Sequence, residues 1–405
     1  MSASPASVRS MTKTPSTPVT PKSTSPLAKA AQRPAPVLGT RALNRATVDR
    51  QLLLRRSADL SVEGAVAHLL GLQAQNVKPP YYALAARLEG FDPEALSGLL
   101  AARDLVRIVT MRSTIHLHTG DDALTLRPLV QAARDRELHA FRKGLTGVDL
   151  TELASLARAA VEEEPRTMKQ LREILLPRWP DADPQSLAVA ARCSLPLVQV
   201  TPRGLWRRSG QVALTTVEHW LGRPSEPVPA PDATVLRYLA AFGPASVKDM
   251  QTWAGLTRLR EAFERLRPQL RTFRDEDGVE LFDLPDAPRP DADTPAPARF
   301  LPEFDNLLLS HADRGRVVPA EYKGRSWKGN FAYSVFLVDG FLAGVWRVEE
   351  GAGETKDSAV LTIEPFGTLT KAQRHELTEE ADRLLSGPMN RTATYDIRFG
   401  TVVER

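Results

Sequence analysis

Apolar residues along the first three quarters of the chain recur at the three- and four-residue spacing of amphipathic helices. The first group of such helices is followed by two short β-branched runs, residues 105–109 and 113–118, which predict a strand pair. Helices followed by a two-stranded ribbon are typical of a winged helix. The helices predicted ahead of this ribbon cover residues 47–55, a segment starting at Ser61, residues 81–88 and a segment starting at Asp92-Pro93.

A second group of helices begins after a charged linking helix over residues 121–143. Two side-chain pairs in it, Asp149 with Glu152 and Thr167 with Gln170, have the spacing of capping boxes. A further helix should start at Asp183-Pro184, and residues 197–200 and 205–208 should form its ribbon, joined by the turn 201–204.

A third group starts near Asp232 and ends in the clearest hairpin of the chain, formed by residues 270–274 and 279–284. Because the same order of elements occurs three times with little shared sequence, we predict three tandem winged-helix units. Their predicted bounds are 41–145 (with the linking helix), 146–226 and 227–290.

The hydrophobic period changes toward two after a Pro/Asp/Ala-rich linker over residues 285–297. This change predicts a β-rich domain over residues 298–405, and the fold class is α+β with a C-terminal β-barrel-like domain. Its predicted strands are residues 304–310, 316–320, 331–338, 341–348, 359–364 and 394–399, with a helix over 371–385.

Charge is distributed unevenly along the 405 residues. The formal net charge is +4, and five cations with no acid in residues 1–40 leave −1 for the rest. That segment is rich in Ser, Thr, Pro and Ala, so we predict a disordered basic arm. Any nucleic-acid surface on the folded part must therefore come from local clustering of cations.

The chain also lacks the marks of export. It has a single cysteine, Cys193, no apolar run long enough to span a membrane, and no apolar signal segment in its first forty residues. We therefore expect a cytoplasmic monomer with no membrane partner.

The most informative chemistry lies in residues 72–80, where Gln73 and Gln75 flank Ala74 and Pro79-Pro80 follows. Pro79 disfavours helix just before it, and in extended chain the side chains of residues i and i+2 point the same way. Two neutral amides on one side can hold a water molecule or a polar ligand. The alternative is that both are ordinary turn glutamines, since Gln-x-Gln is a common pattern.

Cations on the expected wings and third helices are candidate phosphate contacts, with solvated surface charge as the alternative for each. The tip 324–329 is a separate candidate, in which Trp327 could wedge into a minor groove between two cations or fold back onto its own domain. The candidate DNA contacts from these elements are Arg203, Arg207, Arg208, Arg258, Arg260, Arg325, Trp327 and Lys328.

Other chemistries find little support. His116 and His118 alternate on one predicted strand, but no cysteine is near them in sequence and we expect no metal. No Gly-rich phosphate loop, Gly-x-Ser-x-Gly elbow or His-Glu-x-x-His helix occurs, so we also expect no cofactor.

Three stretches together resemble a known family: residues 70–76 around the glutamines, residues 112–116, and residues 304–314, which read Phe-Asp-Asn-Leu-Leu-Leu-Ser-His-Ala-Asp-Arg. The chain is similar from about Arg41 onward to the AlkZ/YcaQ-like winged-helix DNA glycosylases. The resemblance implies three winged helices and a β-barrel around duplex DNA, with Gln73 and Gln75 as the catalytic pair. We keep Arg112, His116 and the tip 325–328 as further candidates for contact with DNA or sugar.

The activity implied by this resemblance is excision of bulky N7-alkylated purines, and in some members unhooking of interstrand crosslinks. A related crosslink-repair branch tends to have Asp at the second catalytic position, so Gln75 favours the branch tied to self-resistance against DNA-alkylating compounds. The chemistry of the residues agrees, because an N7-alkylated purine is cationic and leaves without protonation. The main alternative is a non-catalytic winged-helix transcriptional regulator; a β domain that only binds other proteins is a third.

Overall fold

The computed structural model describes residues 35–227, 229–351 and 357–401. Its α-helices are α1 (Thr40–Arg50), α2 (Val62–His68), α3 (Pro79–Ala85), α4 (Pro93–Ala102), α5 (Gly120–Leu129), α6 (Gln131–Ala140), α7 (Leu150–Glu163), α8 (Met168–Leu175), α9 (Pro184–Ser194), α10 (Val217–Leu221), α11 (Pro231–Phe242), α12 (Val247–Ala254), α13 (Arg260–Leu266) and α14 (Lys371–Ser386).

Together with these helices, the β-strands within the described ranges give a mixed α+β fold. They are β1 (Leu72–Gln73), β2 (Leu105–Val109), β3 (Ile115–Thr119), β4 (Leu197–Gln199), β5 (Leu214–Thr216), β6 (Arg271–Arg274), β7 (Glu280–Asp283), β8 (Arg299–Leu301), β9 (Trp327–Lys328), β10 (Phe331–Ala332), β11 (Val335–Val338), β12 (Phe341–Glu350), β13 (Ser358–Pro365) and β14 (Thr394–Phe399).

Several helix starts follow directly from local sequence. The Thr167 side chain accepts from the Gln170 backbone while the Gln170 side chain accepts from Thr167, so the predicted capping box is confirmed. Asp92 and Asp183 cap α4 and α9, each with proline at the first helical position. Asp149 caps α7 through the backbone of Thr151 and Glu152.

Other helix bounds were predicted wrongly. The first helix runs from Thr40 to Arg50 rather than over 47–55, because Leu52 has a left-handed backbone (φ +57°) just beyond its end. The linking helix is two helices, α5 and α6, because Pro128 near the end of α5 lacks the N–H that would continue the ladder.

The first sheet joins strands from two predicted units. Its order is β1-β3-β2-β4-β5, and β2 pairs with β4 through Arg107 and Ile108. The predicted second ribbon is half wrong: residues 205–208 form turns, and the partner of β4 is Leu214–Thr216. Trp206 explains the difference, because its buried ring packs 4.7 Å from the Tyr81 ring instead of extending a strand.

The third predicted hairpin is confirmed as β6 and β7, which pair antiparallel from Arg271–Asp283 to Arg274–Glu280. Its inward residues join helices α11 to α13 around Tyr238, Phe263 and Trp253. Leu70 and Met111 from the first segment belong to the same apolar cluster. The segment that precedes Gln73 is therefore anchored in the core of the third helical group.

The C-terminal sheet has the order β14-β13-β12-β11-β8, with β13 and β14 parallel and the other pairs antiparallel. Helix α14 packs on one face through Leu377, Ala381 and Leu385. Among the described residues this sheet is open, with β8 and β14 at its edges, and it forms no closed barrel.

Two predicted strands of this domain are wrong. Residues 304–310 contain a 3-10 turn, Asn306–Leu308, because the Asp305 side chain accepts from the Leu307 backbone and starts a helical turn. Residues 316–320 contain no strand and lead into a 3-10 turn at Ala320–Tyr322. Within the described ranges no helix has the length and apolarity needed to cross a membrane. Most of the predicted basic arm lies outside the described residues.

Candidate functional site

Strand β1 holds Gln73 at the edge of the first sheet, where it pairs with His116 on β3. The chain reaches this strand through two left-handed residues, Leu70 (φ +55°) and Gly71 (φ +89°). A side chain at Gly71 could not fit, because its Cβ would lie 2.3 Å from the His118 ring. Glycine is thus required for the tight entry into β1.

The backbone of this entry is also held from the C-terminal domain. The Asn306 side-chain amide donates to the carbonyls of Leu69 (3.3 Å) and Gly71 (2.7 Å). Asn306 is buried and lies in the segment 304–314 that carried the family resemblance. One function of that segment is therefore to fix the backbone that leads to Gln73.

The two glutamines differ in environment. Gln73 is 7% exposed, and its Oε1 accepts from the Arg112 guanidinium at 2.9 Å. Gln75 is exposed, and its Oε1 accepts from the Ile115 backbone N–H at 3.3 Å. Both amides therefore contact residues of β3 or the turn that leads into it.

Arg112 lies in a strained turn between β2 and β3. Its backbone is left-handed (φ +53°, ψ +21°), as is that of Ser113 (φ +59°), and neither residue is glycine. Its guanidinium donates to Gln73, to the Trp253 carbonyl at the end of α12, and to His116 Nε2 at 3.2 Å. Burial lowers the pKa of Arg112 to about 10, so it stays charged at neutral pH.

His116 is neutral and has one defined tautomer. Its Nδ1 lies 3.0 Å from the Thr114 carbonyl, which only accepts, so Nδ1 carries the proton. Nε2 is then free to accept from Arg112. Burial, with the Arg112 charge and His118 adding to it, lowers the pKa of His116 well below 6.5. The ring thus holds Arg112 by accepting its hydrogen bond, and it does not act as a general acid at neutral pH.

A carboxylate that sequence reasoning missed lies next to the glutamine segment. The half-buried Glu303 accepts from Asn76 Nδ2 at 3.1 Å and from the Ser334 hydroxyl at 3.2 Å. Asn76 directly follows Gln75. No local pattern could indicate this contact, because 227 positions separate Glu303 from Asn76.

In the tip 324–329, Trp327 takes the second of the two alternatives and folds back onto its own domain. Trp327 packs 5.5 Å from the Phe304 ring, with Arg314 over its face. Phe331 on β10 is instead 77% exposed. The turn signal Gly329-Asn330 could have identified it, since the residue after a hairpin turn often projects from the tip.

Three of the remaining predicted cations have partners elsewhere among the described residues. Arg207 pairs with Glu350, and Arg325 donates to the Phe366 carbonyl and stacks on its ring. Arg260 lies 3.7 Å from Glu264 on its own helix. Among these candidates, the exposed cations without a salt bridge to a described residue are Arg208, Arg258 and Lys328. Arg203 is half-buried, and its Nε has no partner among the described residues.

The described residues contain no cluster of three or more His, Cys, Asp or Glu side chains that could hold a metal ion. His118, the neighbour of His116, bonds Thr110 through Nε2 at 2.8 Å, and burial lowers its pKa to about 4. The groups described beside Gln73 and Gln75 are hydrogen-bond donors and acceptors, and Glu303 contacts the neighbouring Asn76.

Comparison with known proteins gives three consistent findings. The family described as DNA glycosylase AlkZ-like matches residues 66–386. The interstrand DNA cross-link repair glycosylase of Streptomyces sahachiroi is 25% identical over 325 residues, which are 74% of this chain and 85% of that protein. The solved structure of S. sahachiroi DNA glycosylase AlkZ matches with a TM-score of 0.71 at 20% identity, over 90% of this chain and all of that one.

Proposed function

The chain belongs to the AlkZ-like family of DNA glycosylases, enzymes that act on N-glycosyl bonds, and from that premise we propose that it releases bulky N7-alkylated purines from duplex DNA. The observation that carries the proposal is the pair Gln73 and Gln75 beside β3, held through Arg112 and Ile115. These two residues are the proposed catalytic pair. A relative named for crosslink repair supports unhooking of interstrand crosslinks as a further activity.

The proposed mechanism needs no general acid. Alkylation at N7 makes the purine cationic, so it departs without protonation. The protein then has to orient a water molecule at C1′ and stabilise a sugar that becomes an oxocarbenium ion. Fixed amide dipoles contribute through positioning and electrostatics. A neutral His116 and the absence of an acid between the glutamines suit a reaction in which the leaving group is already activated.

We propose that duplex DNA is held by three winged-helix units in a cytoplasmic monomer. The exposed Arg208, Arg258, Arg260 and Lys328 are proposed phosphate contacts, and Phe331 is the proposed apolar contact. Such an enzyme would protect the cell from a DNA-alkylating compound, either as self-resistance or as repair of the damage. A bulky adduct need not leave the helix fully, which avoids the unstacking that base flipping requires.

The test is base release from a defined duplex that carries one bulky N7-alkylguanine. Wild-type protein should produce alkali-labile abasic sites. Gln73→Ala should abolish release while duplex affinity stays within about a few fold, because the change removes an amide and no charge. Unchanged turnover in Gln73→Ala would reject the catalytic assignment. A uracil-containing duplex is the control, since a neutral base should stay attached.

A further inference from the structure

We propose that Arg112 is a positioning residue that sets the orientation of the Gln73 amide, so that Gln73 meets its substrate as a hydrogen-bond donor. The inference rests on the proposed function of Gln73 and goes beyond it. Sequence reasoning treated Arg112 as a candidate for contact with DNA. In the structure its donors are directed to Gln73, His116 and Trp253 instead.

The chemistry of the guanidinium determines which end of the amide turns inward. Arginine can only donate, so the atom of Gln73 that faces Arg112 must be Oε1. The Gln73 amide nitrogen donates to no described residue. This nitrogen is nevertheless not a fully buried polar atom without a partner. It therefore keeps contact with solvent.

Arg112 itself is fixed by the third helical group. Gly255 follows α12 with a left-handed backbone (φ +70°), and a Cβ there would lie 3.0 Å from the Arg112 backbone nitrogen. Glycine thus allows α12 to approach the strained turn closely. The Trp253 carbonyl and the neutral His116 ring accept from the same guanidinium. A strained conformation persists only where its surroundings over-determine it, as they do here.

The two glutamines therefore have different roles. Gln73 is buried, has one orientation and presents its NH₂ group. Gln75 is exposed and held by a single 3.3 Å bond, so it can rotate to present either end to water. The donor role of Gln73 suits an oxygen acceptor, such as the attacking water or a sugar oxygen near the reacting carbon.

The experiment measures single-turnover base release and duplex affinity separately for Arg112→Met, Arg112→Lys and Gln73→Glu. Arg112→Met should lower the rate constant by about tenfold to a hundredfold, the usual effect of a misplaced catalytic group, with affinity within about threefold. Arg112→Lys should be intermediate, because one ammonium cannot reproduce the fork of contacts. Gln73→Glu keeps an acceptor for Arg112 but loses the NH₂ group, so it should lose release as Gln73→Ala does.

Arg136→Met is the matched control. Arg136 donates to the Gly255 carbonyl at 2.6 Å, so the change removes a cation and a hydrogen bond at the same junction without touching Gln73. It should release base at the wild-type rate. Circular dichroism of each variant checks folding.

Three results would overturn the inference. An unchanged rate in Arg112→Met removes the positioning role. Loss of affinity with an unchanged rate at saturation makes Arg112 a DNA contact. Full activity in Gln73→Glu removes the donor role. Each of these requires an active wild type, whereas a wild type that releases no base rejects the proposed function and this inference with it.

Discussion

At the scale of single residues, neither the glutamines nor the histidine of the candidate site changes its protonation state near neutral pH. The histidine is buried and neutral, and the glutamines are amides. Glu303 adds a carboxyl group to this site. It lies beside Asn76, held by two donors, where a carboxylate could stabilise positive charge on a nearby sugar.

Replacing Glu303 by glutamine tests that role with little change of shape. We expect Glu303→Gln to slow base release by about tenfold, equivalent to about 1.4 kcal/mol of transition-state stabilisation. Duplex affinity should stay equal or rise slightly, because a negative charge near phosphates is removed. Single-turnover kinetics measures the effect. Glu321→Gln, at an exposed acid of the same domain, is the control, and equal rates in both variants would exclude a role for Glu303.

At the scale of elements, the short hairpin of β9 and β10 presents one aromatic ring outward and packs another against its own domain. Phe331 is exposed while Trp327 packs on Phe304. The Gly329 turn (φ +58°) separates them and lets the two strands pair through Lys328 and Phe331. Trp327 therefore anchors the hairpin to its domain, while Phe331 is available for contact with a ligand.

This division predicts different effects for two alanine variants. Phe331→Ala should weaken binding to alkylated duplex by about tenfold, the usual loss for one ring stacked on a base, and leave stability unchanged. Trp327→Ala should lower stability first, because it removes a packed ring. Fluorescence anisotropy and urea unfolding measure the two effects. Tyr395→Ala, at a partly exposed ring on β14 whose hydroxyl donates to Asp382, should leave duplex affinity unchanged, and a tenfold affinity loss confined to Trp327→Ala would reverse the assignment.

At the scale of the whole molecule, residues 304–314 connect the parts of the fold. This segment bonds the first helices, the third helical group and the entry to β1. Its contacts are Asp305 with Arg87, Asn306 with the Leu69 and Gly71 carbonyls, the Ser310 carbonyl with the Tyr238 hydroxyl, His311 with the Phe242 carbonyl, and the Ala312 N–H with Asp249.

The buried pair in this segment should control global stability. Arg87 and Asp305 are both fully buried and joined by two 2.8 Å hydrogen bonds. Asp305→Asn leaves the guanidinium without its counter-charge, so the free energy of unfolding should fall by about 3–5 kcal/mol. Urea denaturation measures it. Glu152→Gln breaks the exposed pair with Arg178 and should cost far less, because solvent screens both charges. Similar losses in both variants would contradict this reasoning.

Stability should also fall in mild acid. Burial lowers the pKa of His118 to about 4 and of His311 to about 3, and lowers that of His116 as well. The pKa of histidine in the unfolded chain is about 6.5. Below that pH the unfolded chain binds protons at these histidines, whereas the folded protein does not. As the pH falls from 6.5 to the folded pKa of each histidine, that histidine therefore lowers the free energy of unfolding by about 1.4 kcal/mol per pH unit.

Urea midpoints at pH 7.5 and 5.5 measure this loss. His311→Gln, which can still donate to the Phe242 carbonyl, should reduce the difference between the two midpoints. His375→Gln, at an exposed position on α14, should leave it unchanged. A midpoint that does not move in the wild type would show that buried histidines do not govern the acid limit.

Local sequence determined those features whose causes lie within a few residues. The capping box at Thr167, the proline starts of α4 and α9 and the β6–β7 hairpin follow from short-range hydrogen bonds and backbone sterics. The amides at Gln73 and Gln75 and the segment 304–314 were also identifiable from the sequence, through the family resemblance.

Only the tertiary structure decided what surrounds those residues. The pairing of β2 with β4, the packing of Trp206 on Tyr81, and the contacts of Arg112 and Glu303 join positions far apart in the chain. No spacing rule relates such positions, because their proximity depends on how separate helical groups pack. The orientation of the Gln73 amide is the clearest case, since it is set by a charge 39 residues away whose own turn is held by the end of α12.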